Sequence, residues 1–191
     1  MSTVFKHRPT PTQLDAILAD HTRHLAGEDG PFRAIFENED LCGREFNERS
    51  MPRVTFHNCD LELAKFLGCD LAGVLFEKCS FYRSPFRACN LTNVVFRDCV
   101  IKHSWMTRCN FAGVQTPGTK FTRCDLRYSQ IQTADFSLAE MRGVDFAGCE
   151  WGENRLTCKI QLEIKVGKKY PLSVPEEHVD DAPLPGARIE A

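Results

Sequence analysis

Ten cysteines and six histidines are the side chains of this 191-residue sequence best suited by type to do chemistry. Thiolates beside imidazoles would make a zinc site or an activated nucleophile, and neighbouring thiols a redox centre. Their spacing serves none of these. Cys59, Cys69, Cys79, Cys89, Cys99 and Cys109 recur every ten residues, and no C-x-x-C occurs. The histidines (His7, His21, His24, His57, His103 and His178) are scattered without an HExxH, and there is no GxSxG, Walker loop or GxGxxG. Acids such as Asp60, Asp70, Asp125, Asp135 and Asp145 recur at one slot that faces solvent, where they read as merely solvated. The sequence therefore predicts no enzyme, no cofactor and no metal.

What must position the cysteines is a five-residue repeat. Every fifth residue from Phe36 to Trp151 is apolar at 23 of 24 positions, where the 42% apolar composition alone would give about 10. Twelve of the 14 phenylalanines lie on this track, among them Phe56, Phe66, Phe76, Phe86, Phe96, Phe111, Phe121, Phe136 and Phe146. Two residues earlier runs a second track, Val54 to Cys149, made only of Ala, Cys, Val, Ser and Thr, which holds eight of the cysteines. A period of five fits neither the 3.6 of a helix nor the 2 of a strand. A square coil satisfies it, each quintet forming one side with one large and one small side chain pointing inward. In that coil the cysteines are core filler, and burial raises a thiol's pKa.

Windows such as CDLAG (69–73), CNLTN (89–93), CNFAG (109–113), CDLRY (124–128) and ADFSL (134–138) resemble the A(D/N)LXX consensus of the pentapeptide-repeat family over roughly residues 34–158. The run LDAILADHTRHL followed by GPFRAIFENEDL also resembles the leader of many bacterial members. The resemblance implies an all-β solenoid, a right-handed quadrilateral β-helix with about four quintets per coil. With 24 quintets that makes about six coils, spaced at ~4.8 Å like neighbouring strands.

Solenoid ends need covers. Residues 1–33 are expected to form a leader and a capping helix over 12–25, with Thr12 as N-cap and Gly27 as the stop; Leu14, Ile17, Leu18, His21 and Leu25 share its inward face. The repeat domain spans 34–158. Its first coil breaks the small-residue track with Glu39, Arg44 and Arg49, and Val114–Gly118 interrupts it as either a bulge or one irregular face. In 159–172, Ile160, Leu162, Ile164 and Val166 alternate with polar residues as a short C-terminal strand, and 173–191 is an acidic, Pro-rich disordered tail.

No apolar run is long enough to cross a membrane, and MSTVFKHRPT has no secretory apolar core, so a cytoplasmic, thiol-reduced protein is expected. Net charge is −2, but residues 78–127 carry +7 between acidic flanks. At four quintets per coil, Tyr82, Arg83, Lys102, His103, Lys120 and Arg123 share one face, and Arg87, Trp105, Arg108, Arg127 and Tyr128 the next. This basic band with interleaved aromatics is the candidate binding site. A partly apolar stripe (Ile35, Thr55, Leu75 and Val95) marks another face.

The expected function is a non-catalytic scaffold that binds a protein partner, as a monomer or weak dimer. The resemblance also implies protection of DNA gyrase or another topoisomerase by mimicry of duplex DNA. That role needs an anionic face and a C-terminal dimer helix, and the sequence has a basic middle and no helical pattern at its end. Nucleic-acid binding by the basic band ranks third.

Overall fold

The computed structural model describes residues 7–152, 158 and 160–166. From Ala34 onward the chain winds as a β-solenoid that returns to the same side every twenty residues. On the first side the strands Ile35–Glu37, Thr55–His57, Leu75–Glu77 and Val95–Arg97 pair in parallel. Single bridges carry the row on through Gln115 to Asp135, giving six rungs separated by five turns. The second side stacks Ser80–Tyr82, Val100–Lys102, Lys120–Thr122, Glu140–Arg142 and Ile160–Leu162. Phe66–Leu67, Pro85–Arg87 and Trp105–Thr107 form the third side, which a bridge extends to Asp125. Only bridges join the fourth, from Ser50 through Asp70, Asn90, Asn110 and Gln130 to Glu150.

Because each position stacks on its own kind twenty residues away, the apolar track becomes columns of rings. Phe36, Phe56, Phe76 and Phe96 stack at 4.9, 4.9 and 5.2 Å between centroids, and Phe46, Phe66 and Phe86 at 4.9 and 4.5 Å. Phe76 joins the two columns edge-to-face with Phe66 and Phe86. Phe111, Phe121, Phe136 and Phe146 are buried in the later coils. Offset and edge-to-face contacts suit the ring quadrupole, so the core gains beyond its area burial.

The small-residue track forms the four corners, each with its own composition. One corner is Val54, Val74, Val94 and Val114; another is Cys59, Cys79 and Cys99, continued by Thr119 and Ala139. A third holds Cys69, Cys89 and Cys109, then Ser129 and Cys149, and the fourth Ala64, Ser84, Ser104 and Cys124. The jump from Cys109 to Cys124 is therefore a change of corner, not a slip in register. Residues 114–118 form no bulge: Gln115 bridges Val95 and Asp135, and Asp98 N–H donates to the Pro117 carbonyl at 2.9 Å. Thr116 is buried and its hydroxyl donates to the Asp135 carbonyl at 3.1 Å.

Two local devices close each coil. Corner residues with a donor return it to the previous coil: Cys59, Cys79, Cys89 and Cys109 donate S–H to the Phe36, Phe56, Phe66 and Phe86 carbonyls at 3.0–3.4 Å. Ser84 and Thr119 donate in the same way to Leu61 and Phe96 at 2.7 and 2.8 Å. The acids that read as merely solvated are structural: Oδ1 of Asp60, Asp70, Asp125, Asp135 and Asp145 accepts the backbone N–H two residues on, at 2.9–3.2 Å. Such Asx turns bend the chain at the start of a side.

Helix α1 (Pro11–Leu25) begins one residue before the expected start. Its N-cap is Thr10, not Thr12; Thr10 Oγ1 accepts from Gln13 N–H, and the Gln13 side chain accepts from Thr10 N–H. Pro11 then takes the first helical position, where its missing N–H costs nothing. Leu14 and Leu18 join the core, Ile17 is partly buried, and Leu25 is exposed. His21 is fully buried and uses both ring nitrogens: Ala34 N–H donates to Nδ1 at 3.2 Å, and Nε2–H donates to the Pro52 carbonyl at 2.8 Å. The buried ring thus ties the helix to the first coil.

At the other end the alternating stretch does not run as one strand. Ile160–Leu162 joins the second side, the chain bends at Glu163 (φ +54°), and Lys165–Val166 pairs with Asp145–Phe146. Ile164 is buried, so the stretch continues the coil. The expected tail over 173–191 lies outside the described residues.

Phe86 stacks on Phe66 and meets Phe76 and Phe96 edge-on. Phe86→Ala should therefore cost about 3 to 5 kcal/mol by urea denaturation. Cys89→Ala removes one weak S–H donor without opening a ring-sized cavity and should cost about 1 kcal/mol or less. Hydrogen bonds from Ser137 hold the Asp135 carboxyl below its ordinary value. A lowered folded value gives stability that is present above the unfolded value, about 3.9, and lost as pH falls through the folded one. The gap in urea midpoint between wild type and Asp135→Asn, which keeps the Oδ1 acceptor, should shrink from neutral pH to below about 3.9.

Candidate functional site

The second and third sides meet at a corner row formed by Arg83, His103 and Arg123, each in the left-handed region at φ +52° to +53°. Such a corner throws its side chain outward. Tyr82 leans over this row: its ring lies 5.2 Å from the Arg83 guanidinium carbon and 5.5 Å, edge-on, from the His103 ring. Lys102 is the register partner of Tyr82 one coil on. The third side then presents Pro85, Trp105 and Asp125 in one row and Arg87, Thr107 and Arg127 in the next. Arg108 and Tyr128 stand at the corner beyond, at φ +57° and +60°.

Arg87, Trp105, Arg108, Arg127 and Tyr128 line one open groove of about 600 Å³, with Lys65, Leu67 and Pro85 at its near end. Trp105 and Tyr128 expose 48% and 60% of their surface, far more than the large apolar residues of the core beneath. Arg108 and Tyr128 also border a second groove of about 470 Å³ lined by the amides Asn90, Asn110 and Gln130, so they form the ridge between the two. The ridge depends on a glycine. A Cβ on Gly148 would lie 2.6 Å from Tyr128 Cδ1, so the ring can rest on the next coil only because Gly148 has none.

Electrostatics divide the candidate residues. Asp125 grips Arg127 with both oxygens, accepting Nε–H at 2.9 Å and Nη2–H at 2.8 Å, and holds the guanidinium above its ordinary range. Asp145 lies 3.9 Å from the same group. Lys120 stands on the far margin of the second side, apart from the corner row, and pairs with Glu140 at 3.1 Å. Arg83, Arg87, Lys102, Arg108 and Arg123 form no ion pair among the described residues and are exposed. The first side differs: Glu77 meets His57 and Arg97 at 3.0 and 3.4 Å, and the His57 hydrogen bond leads in holding the Glu77 carboxyl low. Of its apolar stripe Ile35 is exposed, and Thr55, Leu75 and Val95 are half-buried. Among the candidate residues the unpaired positive charge thus belongs to Lys102, to Arg83 and Arg123 on the corner row, and to Arg87 and Arg108 of the third side.

The twenty-residue step places the candidate residues in these rows, and the groove they line also includes Lys65, Leu67 and Pro85, which the sequence reading does not name. The same step applied backward from Trp105 finds Pro85 and Lys65 in its row. The cysteines take no part. Cys59, Cys69, Cys79, Cys89, Cys99 and Cys109 are buried, the Cys109 thiol together with burial pushes the Cys89 thiol up to about 12, and burial pushes Cys124 up to about 11. Among the described residues no group of His, Cys, Asp and Glu could hold a metal ion. Nor is any helix among them long and apolar enough to cross a membrane.

A family model described as pentapeptide repeat region matches residues 32–106 and 79–157. Among solved structures, the chain is similar to a pentapeptide repeat protein from the Arabidopsis thaliana thylakoid lumen, at 19% identity and TM-score 0.40, over 51% of this chain. It spans 65% of that protein's length. It is also similar to QnrB1, a plasmid-mediated fluoroquinolone resistance protein, at 16% identity and TM-score 0.39, covering 71% of this chain and 90% of that one. A third is HetL from the cyanobacterium Nostoc sp. strain PCC 7120, a protein involved in heterocyst differentiation regulation, at 12% identity and TM-score 0.33, covering 76% and 77%. No curated protein matches the chain.

The Asp125 grip on Arg127 makes a prediction for the groove. Asp125→Asn keeps the Oδ1 acceptor that closes the turn and removes the charge that holds Arg127. The variant should leave a heparin column at higher salt than wild type with an unchanged circular dichroism spectrum. Identical elution would mean that Arg127 is already free in solution.

Proposed function

The chain belongs to the pentapeptide-repeat family and is a repeat scaffold, and from that premise we propose that it is a non-catalytic binding protein whose third side docks an acidic patch of a partner protein. The observation that carries the reading is the pair of exposed aromatics, Trp105 and Tyr128, set among unpaired Arg87 and Arg108 on one groove. Trp, Tyr and Arg are the residue types that dominate the energy of protein interfaces. A rigid column of rungs offers them at fixed spacing, so little backbone freedom is lost on binding. The unpaired arginines would steer an acidic partner and set its register. Thiols held protonated in the core suit a reducing, cytoplasmic setting.

Two alternatives rank below this one. A continuous phosphate track would favour nucleic acid, but Asp125 and Asp145 enter the groove's own rows and Lys120 is neutralised by Glu140. Mimicry of duplex DNA toward gyrase needs an anionic face, and this groove has the opposite sign.

The test compares wild type, the triple variant Arg87→Glu, Trp105→Ala, Arg108→Glu, and a first-side control, Ile35→Ser, as baits in cell extract. A protein retained by wild type and control, released by salt and lost by the triple variant, is the expected result. Parallel arms titrate oligonucleotides and assay gyrase supercoiling with a topoisomerase poison. Variant-sensitive oligonucleotide binding without a protein partner, or gyrase protection at sub-micromolar protein, would overturn the reading in favour of the corresponding alternative.

A further inference from the structure

The three charged residues that break the small-residue track in the first coil differ in one respect. Glu39 accepts from His7 at 2.8 Å, and Arg49 donates to Asp15 of α1 at 2.5 Å. The half-buried side chain of Arg44, five residues from each, forms no ion pair or hydrogen bond with any described residue, and its Nε is fully buried. It lines a cavity of about 370 Å³ between α1 and the first coil, with Pro11 and Leu14 on the helix side and Gly43, Glu45 and Arg49 on the other.

The charges on this wall leave a positive remainder. Glu45 is bonded to Lys65 at 2.7 Å and Arg49 to Asp15, so Arg44 is the lining charge without a counter-charge. Pro11 is the first residue of α1, whose first turn holds no acid. The positive end of the helix dipole therefore adds to Arg44 rather than opposing it. Burying part of a guanidinium with a donor unused costs free energy that a bound anion would recover. A guanidinium fork is shaped to give two parallel hydrogen bonds to two oxygens of one group.

We propose that this cavity is a binding site for a small oxyanion, a phosphate or carboxylate group, anchored by Arg44. Binding would bridge the capping helix and the first coil, so the ligand would stabilise the end of the solenoid where no earlier coil supplies a ladder. The cavity adjoins the near end of the basic groove through the Glu45–Lys65 pair, but the site does not depend on that groove's function.

Isothermal titration calorimetry of inorganic phosphate, sulfate and acetate into the full-length chain, at constant ionic strength with chloride as reference, tests the proposal. Melting curves under the same conditions should show a saturable rise for wild type, as ligand linkage requires. One site per chain is expected; a preference for phosphate and sulfate or for acetate identifies the oxyanion geometry. Arg44→Met should abolish the heat and the shift, Arg44→Lys should weaken binding about 10-fold or more because the fork is lost, and Arg83→Met, in the basic band, should bind as wild type. No saturable heat in wild type with any of the three anions overturns the proposal whether or not a variant folds, and leaves water as the cavity's occupant. Binding that survives Arg44→Met, or is lost in Arg83→Met, overturns it as well, by placing the anion elsewhere.

Discussion

Everything in this molecule follows from the stacking of each residue on its counterpart twenty positions away. A parallel ladder allows no other register once the inward positions are large rings. A slip of one residue would drive Glu77 or Arg97 into the column occupied by Phe56, Phe76 and Phe96, at the cost of burying a charge. A slip of five would keep the apolar track but set the cysteine corner against the valine corner. The rings hold the coils together, and the corner composition tells the four sides apart.

That constraint sets the price of turning. A square coil must change direction every five residues, and it does so with a residue in the left-handed region, an Asx turn, or both. Glycine meets the first demand at Gly148, where a side chain would also collide with Tyr128. Arg83, His103, Arg108, Arg123 and Tyr128 meet it with side chains that pay strain for that conformation. The S–H and O–H donors at the corners offset part of this by tying each coil to the previous one. Cysteine is thus more than a substitute for alanine here. It is small enough for the corner and still carries a donor, though a weak one.

The period of five is a statement about the core, so the coil and its inward residues could be read from Phe36 to Trp151 without a structure. What the sequence hid were effects of single hydrogen bonds. Thr10 and Gln13 form a capping box that the pattern of apolar residues does not report, which is why Thr12 looked like the cap. The recurring acids looked solvated because their exposure is visible in the pattern, whereas the N–H two residues on that each accepts is not. The break at 114–118 reads as either a bulge or one irregular face because Pro117 and Gly118 mark turns, yet a square coil turns every five residues and has a place for them. In the candidate site the rows were legible and the pairing was not. Arg127 faces Asp125 two residues back and Lys120 faces Glu140 one coil on, and each neutralisation follows from a spacing that charge counting over a segment averages away.

The separation between core and surface also explains where new chemistry can arise in such a fold. Outward positions that close no turn contribute little to register, so a row such as Lys65, Pro85 and Trp105 can change without unwinding the coil. The groove on the third side is built from such free positions and is held in shape by Gly148 at one place only. The N-terminal cavity has the opposite origin. Arg44 and Arg49 occupy small-residue-track positions that are filled by buried small side chains in the later coils, and they are tolerated because helix α1 lies there instead. Arg49 and Glu39 are answered by Asp15 and His7, residues that precede the coil. Arg44 receives no such answer among the described residues, and a helix presents no ladder of carbonyls from its side to supply one. A solenoid's first coil is therefore where an inward charge survives, and where a ligand can stand in for the missing turn.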